Sequence, residues 1–426
     1  MQNYFEFLSD LENLIACESV LGDASKNAPF GLGVKKALDT FLNFASRMGF
    51  ETKNYDNYIG EVIYGAGEEI GIIGHVDVVP VGNGWETNPF KLTEKDGFLY
   101  GRGIGDDKAP LLSCLYALYE VKKECEKEGR APNRKFRLIV GCDEESGWRD
   151  VDYLNKVSYF PEYGFSPDGN FPVVYAEKGI TVVTFKIPRL KNFNSITGGT
   201  VVNAVCGYAS AYQTSIIYKD LAEKFNIKVN GDGKIESFGV SCHGSMPERG
   251  INALKGLFEY FIACGEDVKK VYDCLFQDKY GVFNLKNEQG GVTLSPDLIC
   301  EKEDGVYITC DCRIPAPLSQ KDIIPYFEKF GIEYSASEKH PSFMIDKNEP
   351  FVQTLLSAYN VVTGENAKAE VESGSTFARV FKKGCAFGAE FPNRPSTIHQ
   401  PNENMAIEDL KLMHKIYKTA IFNLAK

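Results

Sequence analysis

Ile70-Gly71-Ile72-Ile73-Gly74-His75-Val76-Asp77 is the stretch on which the fold turns: a short apolar run that ends in an imidazole and a carboxylate. Ile70–Gly74 is too brief for a helix and predicts a strand buried on both faces. Downstream, Pro110 stands at a favoured first helical position, with Leu111, Leu115, Leu118 and Tyr119 on one face of the helix it opens. After the polar link Arg130-Ala131-Pro132-Asn133, the run Phe136–Val140 predicts a second buried strand. Strand, helix and strand at this spacing predict an α/β layer architecture. Upstream, Val34, Ala37, Leu38, Phe41, Leu42 and Ala45 recur at helical spacing between Gly33 and Gly49, and Gly49 reads as the C-terminal cap.

Past Gly179 the composition changes. Short β-rich runs such as Thr181-Val182-Val183-Thr184-Phe185 and Val306-Tyr307-Ile308-Thr309 alternate with two expected helical stretches, near 208–225 and 251–275. That mixture predicts an α+β unit. The last eighty or so residues return to the first style. Phe351, Leu355 and Tyr359 mark one helix, and Leu410, Met413, Tyr417, Ile421 and Leu424 another. Matching ends around a different middle predict one domain, residues 1–179 and 347–426, interrupted by an inserted one, 180–346. No internal repeat or low-complexity tract occurs.

The chain has 426 residues, 43% hydrophobic and 25% charged, a globular balance with room for two domains. A net charge of −11 and the lack of a Lys/Arg-dense stretch argue against nucleic acid or an anionic membrane as partner. No run of about 18 apolar residues occurs. Met1-Gln2-Asn3-Tyr4-Phe5-Glu6 has no secretory pattern. The twelve cysteines are scattered with no Cys-x-x-Cys pair, which predicts reduced, mostly buried thiols in a cytoplasmic protein.

Five histidines occur, so each can be weighed. His75 and Asp77, two apart on a strand, would share a face, though alone the pair reads better as a satisfied histidine at a strand end. Gly101-Arg102-Gly103-Ile104-Gly105-Asp106-Asp107-Lys108 sets three glycines and two acids before a helix. One of those acids can cap it, which leaves the other unexplained. Asp143-Glu144-Glu145 closes the strand Phe136–Val140, where adjacent carboxylates need a cation or a proton unless water solvates them. Asp168 stands in a turn, and His399 precedes the last helix. Ligands of open α/β sheets gather at the carboxyl ends of strands. Two histidines with three or more carboxylates there suit a pair of zinc or manganese ions.

The motifs Gly74-His75-Val76-Asp77-Val78-Val79-Pro80, Trp85, Pro89-Phe90 and Leu99-Tyr100-Gly101-Arg102-Gly103 with Asp106-Asp107-Lys108 follow in family order. Glu144-Glu145-Ser146-Gly147, Pro167-Asp168-Gly169, His243-Gly244 with Pro247 and Gly250-Ile251-Asn252-Ala253, and His399-Gln400-Pro401-Asn402-Glu403 continue them. With them the whole chain resembles the zinc-dependent peptidase family of carboxypeptidase G, aminoacylase, the ArgE and DapE deacylases and the PepV/carnosinase-type dipeptidases. The resemblance implies a three-layer α/β catalytic domain with a mixed sheet, interrupted by an inserted α+β, ferredoxin-like lid domain. It implies two divalent metal ions, zinc ahead of manganese or cobalt. Asp106 would bridge them, His75 and Asp168 completing one and Glu145 and His399 the other. Glu144 would be the general base for a water activated by the two metals, and Asp77 the partner that orients His75. Glu144 and Glu145 would point apart, as neighbours in extended backbone do. A cis peptide between Asp106 and Asp107 is also implied, a geometry that costs about 3–4 kcal/mol outside proline.

For substrate, the resemblance implies that His243 hydrogen-bonds the scissile carbonyl oxygen with Asn203 as its companion. Arg313 would hold a substrate α-carboxylate, joined by backbone N–H groups of Gly374, Ser375 and Thr376. His340 and His414 match no family position. Ser373-Gly374-Ser375-Thr376-Phe377-Ala378-Arg379, Ala386-Phe387-Gly388-Ala389 with Phe391-Pro392, and the long insertion point to the PepV-like branch. There a large lid covers the site within one chain, compatible with a monomer and leaving a dimer open. Ala109, Cys206 and Ser373-Gly374-Ser375 depart from the family pattern without touching a metal ligand. The implied activity is a metal-dependent dipeptidase acting on dipeptides or short peptides with a free C-terminal carboxylate. The alternatives are a deacylase of N-acyl amino acids or succinyl-diaminopimelate, and a catalytically silent peptide- or amino-acid-binding homologue.

Overall fold

The computed structural model describes residues 3–215 and 219–426. Met1 and Gln2 of the N-terminal reading lie outside them. The chain forms two compact units. One runs up to Tyr175 and resumes over Met344–Glu372 and Thr376–Lys426; the other takes Ala176–Phe343 with Ser373–Ser375. The sequence boundaries were expected at 179/180 and 346/347.

In the first unit a mixed sheet runs Glu51–Tyr55, Ile59–Gly65, Arg134–Gly141, Glu68–His75, Tyr163–Ser166 and Lys383–Ala386. The last four strands are mutually parallel, with His75 opposite Gly141 and Ala386 opposite Ser166. The apolar run is buried on both faces because helical layers flank it. A Cβ on Gly74 would strike Leu111 and Asp107 of the segment that opens the helix Lys108–Lys127. One residue along, Ile73 packs with Ile139, Phe377, Phe381 and Leu154 of the helix Arg149–Val157. The helix Leu32–Arg47 ends before Gly49, whose φ of +75° needs the conformational freedom of glycine.

In the second unit eight strands form one antiparallel sheet, ordered Ile227–Val229, Lys234–Phe238, Tyr208–Gln213, Phe193–Gly198, Thr293–Lys302, Gly305–Ile314, Gly179–Ile187 and Glu333–His340. Gly179–Ile187 alternates buried and half-buried residues, as a strand covered on one face should. Leu257, Phe261, Cys274, Phe327 and Phe330 from three helices share its core.

The expected helix over 208–225 is corrected. Tyr208–Gln213 is a strand paired with Phe193–Gly198 and Lys234–Phe238, and among the described residues of this stretch only Lys219–Lys224 is helical. Residues 216–218 lie outside the described residues. Ala209 and Ala211, good helix formers by themselves, are buried on one face while Tyr208 and Tyr212 stay exposed, so sheet pairing overrides local propensity. The 251–275 stretch is two helices, Ala253–Ala263 and Lys269–Leu275. All twelve cysteines are free, and only Cys300 is exposed. Among the described residues no helix is long and apolar enough to cross a membrane.

Candidate active site

The parallel strands of the first unit end together, and their ends carry the acids and histidines. Glu68–His75 delivers His75, Tyr163–Ser166 leads to Asp168, and the turn after Arg134–Gly141 carries Glu144 and Glu145. Asp106 lies just ahead of the helix Lys108–Lys127, and the Asp106–Asp107 peptide is cis, as the resemblance implies. His399 enters from a loop that Thr397 closes through hydrogen bonds with the backbone of Asn404.

Two donor groups result, His75 with Asp106 and Asp168, and Asp106 with Glu145 and His399, each with ligand atoms within 4.8 Å of one another. Asp106 belongs to both through different oxygens. Its Oδ1 is 2.9 Å from His75 Nε2 and its Oδ2 2.8 Å from His399 Nε2. Asp168 Oδ2 lies 3.7 Å from His75 Nε2, and Glu145 Oε1 3.2 Å from His399 Nε2.

His75 Nε2 and Asp106 Oδ1 are buried, close, and without a hydrogen-bond partner. Two buried acceptor atoms that converge without a bond fit a cation between them. The tautomer agrees. His75 Nδ1 lies 3.0 Å from the Asp77 carbonyl oxygen, which can only accept, so the proton is on Nδ1 and Nε2 offers its lone pair. Two imidazoles and three carboxylates form a donor set for zinc, manganese or cobalt.

Electrostatics point the same way. Burial drives the Glu144 carboxyl well above the usual range, and Asp168, Glu145 and Asp106 push it further against the pull of His75. Glu145 and Asp168 are raised by burial, with Asp106 adding to both. Burial works against a charged His399, yet Asp106 and Glu145 raise it to about 11. Crowded carboxylates gather positive charge in this way.

Three expectations about local geometry change. The strand ends at His75, so Asp77 meets the ring chiefly through its carbonyl; its nearest carboxylate oxygen is 3.4 Å from Nδ1. That carboxylate accepts instead from the backbone N–H groups of Glu144, at 3.3 Å, and Glu145, at 3.1 Å. Those two glutamates are not in extended backbone. They sit in a turn closed on the Asp143 carbonyl by Gly147 and Trp148, while Arg149 neutralises the Asp143 carboxylate. Finally, Asp107 occupies the cap position of its helix without capping it, because its Oδ2 accepts from the His75 N–H at 3.1 Å.

One functional residue had no assigned role. Glu403 accepts from the N–H groups of Gly103, Gly105 and Asp106 and pairs with Arg102 at 2.7 Å. Arg102 lies over the Trp85 ring at 5.3 Å. The half-buried Trp85 and the buried Arg102 and Glu403, all motif residues, therefore form one clamp behind Asp106. Their presence in motifs was the only signal in the sequence.

Asn203, His243, Arg313, Gly374 and Ser375 belong to the second unit, and Thr376 to the first. Asn203 has a φ of +86°, and its N–H is held by Asp297 Oδ2 at 3.0 Å, while Ser295 Oγ donates to Oδ1 at 2.6 Å. The Asn203 carbonyl accepts from Gly244 N–H at 2.6 Å, and Ala204 bridges His243, so the two segments are pinned together. The guanidinium of Arg313, expected to await a carboxylate, already grips Asp311 through Nε and Nη2 and donates from Nη1 to the Ser373 carbonyl at 2.6 Å. These bonds use three of the five N–H donors a guanidinium carries. Thr376 Oγ1 caps the turn Phe377–Val380 by accepting from Ala378 N–H. His340 ends a strand opposite Ile180, and His414 is buried between Glu120 and Ser113; neither belongs to a donor group.

A family model described as Peptidase family M20/M25/M40 matches residues 71–423. The chain is 32% identical over 457 residues to the Beta-Ala-Xaa dipeptidase of Lactobacillus delbrueckii subsp. lactis, an alignment that covers 98% of this chain and 96% of that protein. Its fold is similar to that of human carnosine dipeptidase 1, with a TM-score of 0.57 at 14% identity, covering 100% of this chain and 97% of that one. Aminoacylhistidine dipeptidase from Vibrio alginolyticus gives 0.59 at 13% identity, with 99% of each chain covered. A match over most of the length, on top of the donor groups at the strand ends, makes this chain a member of peptidase family M20/M25/M40.

Proposed function

We propose that this protein is a metal-dependent dipeptidase that cleaves the peptide bond of dipeptides or short peptides with a free C-terminal carboxylate. The observation that carries the reading is Asp106, whose two oxygens each face a separate histidine-carboxylate group. The names of its relatives, Beta-Ala-Xaa dipeptidase above all, support dipeptides over other amides. His75, Asp106 and Asp168 would hold one divalent ion and Asp106, Glu145 and His399 the other, zinc before manganese or cobalt. Bound there, two such ions supply Lewis acidity and lower the pKa of water.

Glu144 takes the proton of the attacking water on its carboxylate and returns it to the leaving amine. Burial suits it to both steps, because a carboxyl raised above its usual range is a stronger base toward the water proton than an exposed one. Asp77 fixes the backbone of Glu144 and Glu145 and keeps His75 in the ligating tautomer. His243 hydrogen-bonds the substrate carbonyl oxygen with Asn203 beside it, and the N–H groups of Gly374, Ser375 and Thr376, with the remaining donors of Arg313, receive the carboxylate. The reading calls for no nucleic-acid or membrane partner and suits a monomer or a dimer. Free thiols fit a cytoplasmic setting.

The test is amino-acid release from dipeptides, tripeptides and N-acetyl or N-succinyl amino acids by chelator-treated protein with zinc or manganese returned. Metal-restored cleavage of dipeptides is expected. Turnover of acylated substrates alone moves the protein to the deacylases, and silence across the panel overturns the enzyme reading.

A further inference from the structure

We infer that Ser245 is a positioning residue that holds His243 in the tautomer with its proton on Nε2. The backbone N–H of Ser245 donates to His243 Nδ1 at 3.2 Å, and Ser245 Oγ lies 2.7 Å from the same atom. A backbone N–H can only donate, so Nδ1 must present a lone pair, and the single proton of a neutral imidazole is left to Nε2. The hydroxyl, free to rotate, then donates to Nδ1 as well. Ser245 is buried at 6% exposure, which keeps water from competing for that hydroxyl.

The turn that makes this possible is tight. A Cβ on Gly244 would sit 3.0 Å from Asp311 Oδ2 and 3.0 Å from the Asn203 carbonyl carbon. Gly244 N–H is tied to the Asn203 carbonyl, so the turn that carries the ring and the serine is anchored to Asn203. In consequence His243 acts as a neutral donor through Nε2. Charging the ring would set a proton on Nδ1 against the Ser245 N–H. His75 in the first unit is arranged the opposite way, with Nδ1 protonated and Nε2 bare. One imidazole is therefore set to bind a cation and the other to donate to an oxygen.

The role of that donor in turnover rests on the proposed dipeptidase activity; the tautomer does not. The test is nitrogen-15 NMR of imidazole-labelled protein at pH above the ordinary histidine range, with His243 assigned by its loss in His243→Gln. A pyridine-like shift at Nδ1 and a pyrrole-like shift at Nε2 are expected. In Ser245→Ala that balance loosens and kcat falls about tenfold with little change in KM, the loss of one hydrogen bond; Ser245→Thr recovers most of it. A native Nδ1–H tautomer overturns the inference whatever the activity, as does a Ser245→Ala variant with native tautomer and native kcat. Absence of peptidase activity with an Nε2–H ring leaves the tautomer standing and defeats only the dipeptidase reading.

Discussion

Arg102 Nη1 donates to Glu403 Oε2 at 2.7 Å across 301 positions of sequence, with both side chains 1% exposed. The same carboxylate gathers the N–H groups of Gly103, Gly105 and Asp106, so this pair holds the loop on which Asp106 stands.

Glu403→Ala strands a buried guanidinium and three backbone donors. It is expected to cost about 3–5 kcal/mol of stability, as breaking one side of a buried ion pair does. Glu403→Gln keeps the shape, loses the charge and costs less. Denaturant unfolding midpoints measure both, and a native midpoint in Glu403→Ala would contradict the clamp.

Glu144 supplies no atom to either donor group. Glu144→Ala is therefore expected to keep both metals, counted by elemental analysis, while turnover falls by about 10²–10⁴-fold, the usual range for a general base. Unchanged turnover would sink the mechanism.

Asp106 is shared, whereas the other four ligands each serve one group. Asp106→Asn should lower the metal content at both positions; Asp168→Asn or Glu145→Gln should lower it at one. Chelation should abolish turnover, and zinc or manganese should restore it. Equal stoichiometry across the three variants would remove the bridging role.

Asp297, beneath Asn203, has its carboxyl pushed up from 3.8 to about 7 by burial, against the hydrogen bonds from Ser295 and the Asn203 N–H. The folded chain thus keeps a proton that the unfolded chain has released. The resulting stabilisation is complete below about pH 4 and is lost as pH rises through about 7. Asp297→Asn should flatten that dependence. Unfolding midpoints at acid and alkaline pH decide it, and equal slopes in variant and parent would refute the assignment.

Much of this was legible in the chain itself. A strand buried on both faces writes a continuous apolar run, so Ile70–Gly74 announced its place at the sheet centre. The histidines and acids at strand ends, with the motif order, gave the resemblance and its candidate ligands. Tyr208–Gln213 misled because alanine alternation on a strand carries little contrast, and pairing with two neighbours decided its conformation.

What the sequence determined by itself was therefore local or compositional: which runs are apolar and with what period, which groups can titrate or bind a cation, and which turns glycine must occupy. What only the tertiary structure decided was partnership. That Asp77 holds the Glu144–Glu145 turn, that Arg313 is gripped by Asp311 and Ser373, and that Glu403 closes on Arg102 are contacts that form once the chain has folded back. A hydrogen bond needs its two atoms within about 3 Å, and no pattern along the chain sets a distance between residues hundreds of positions apart.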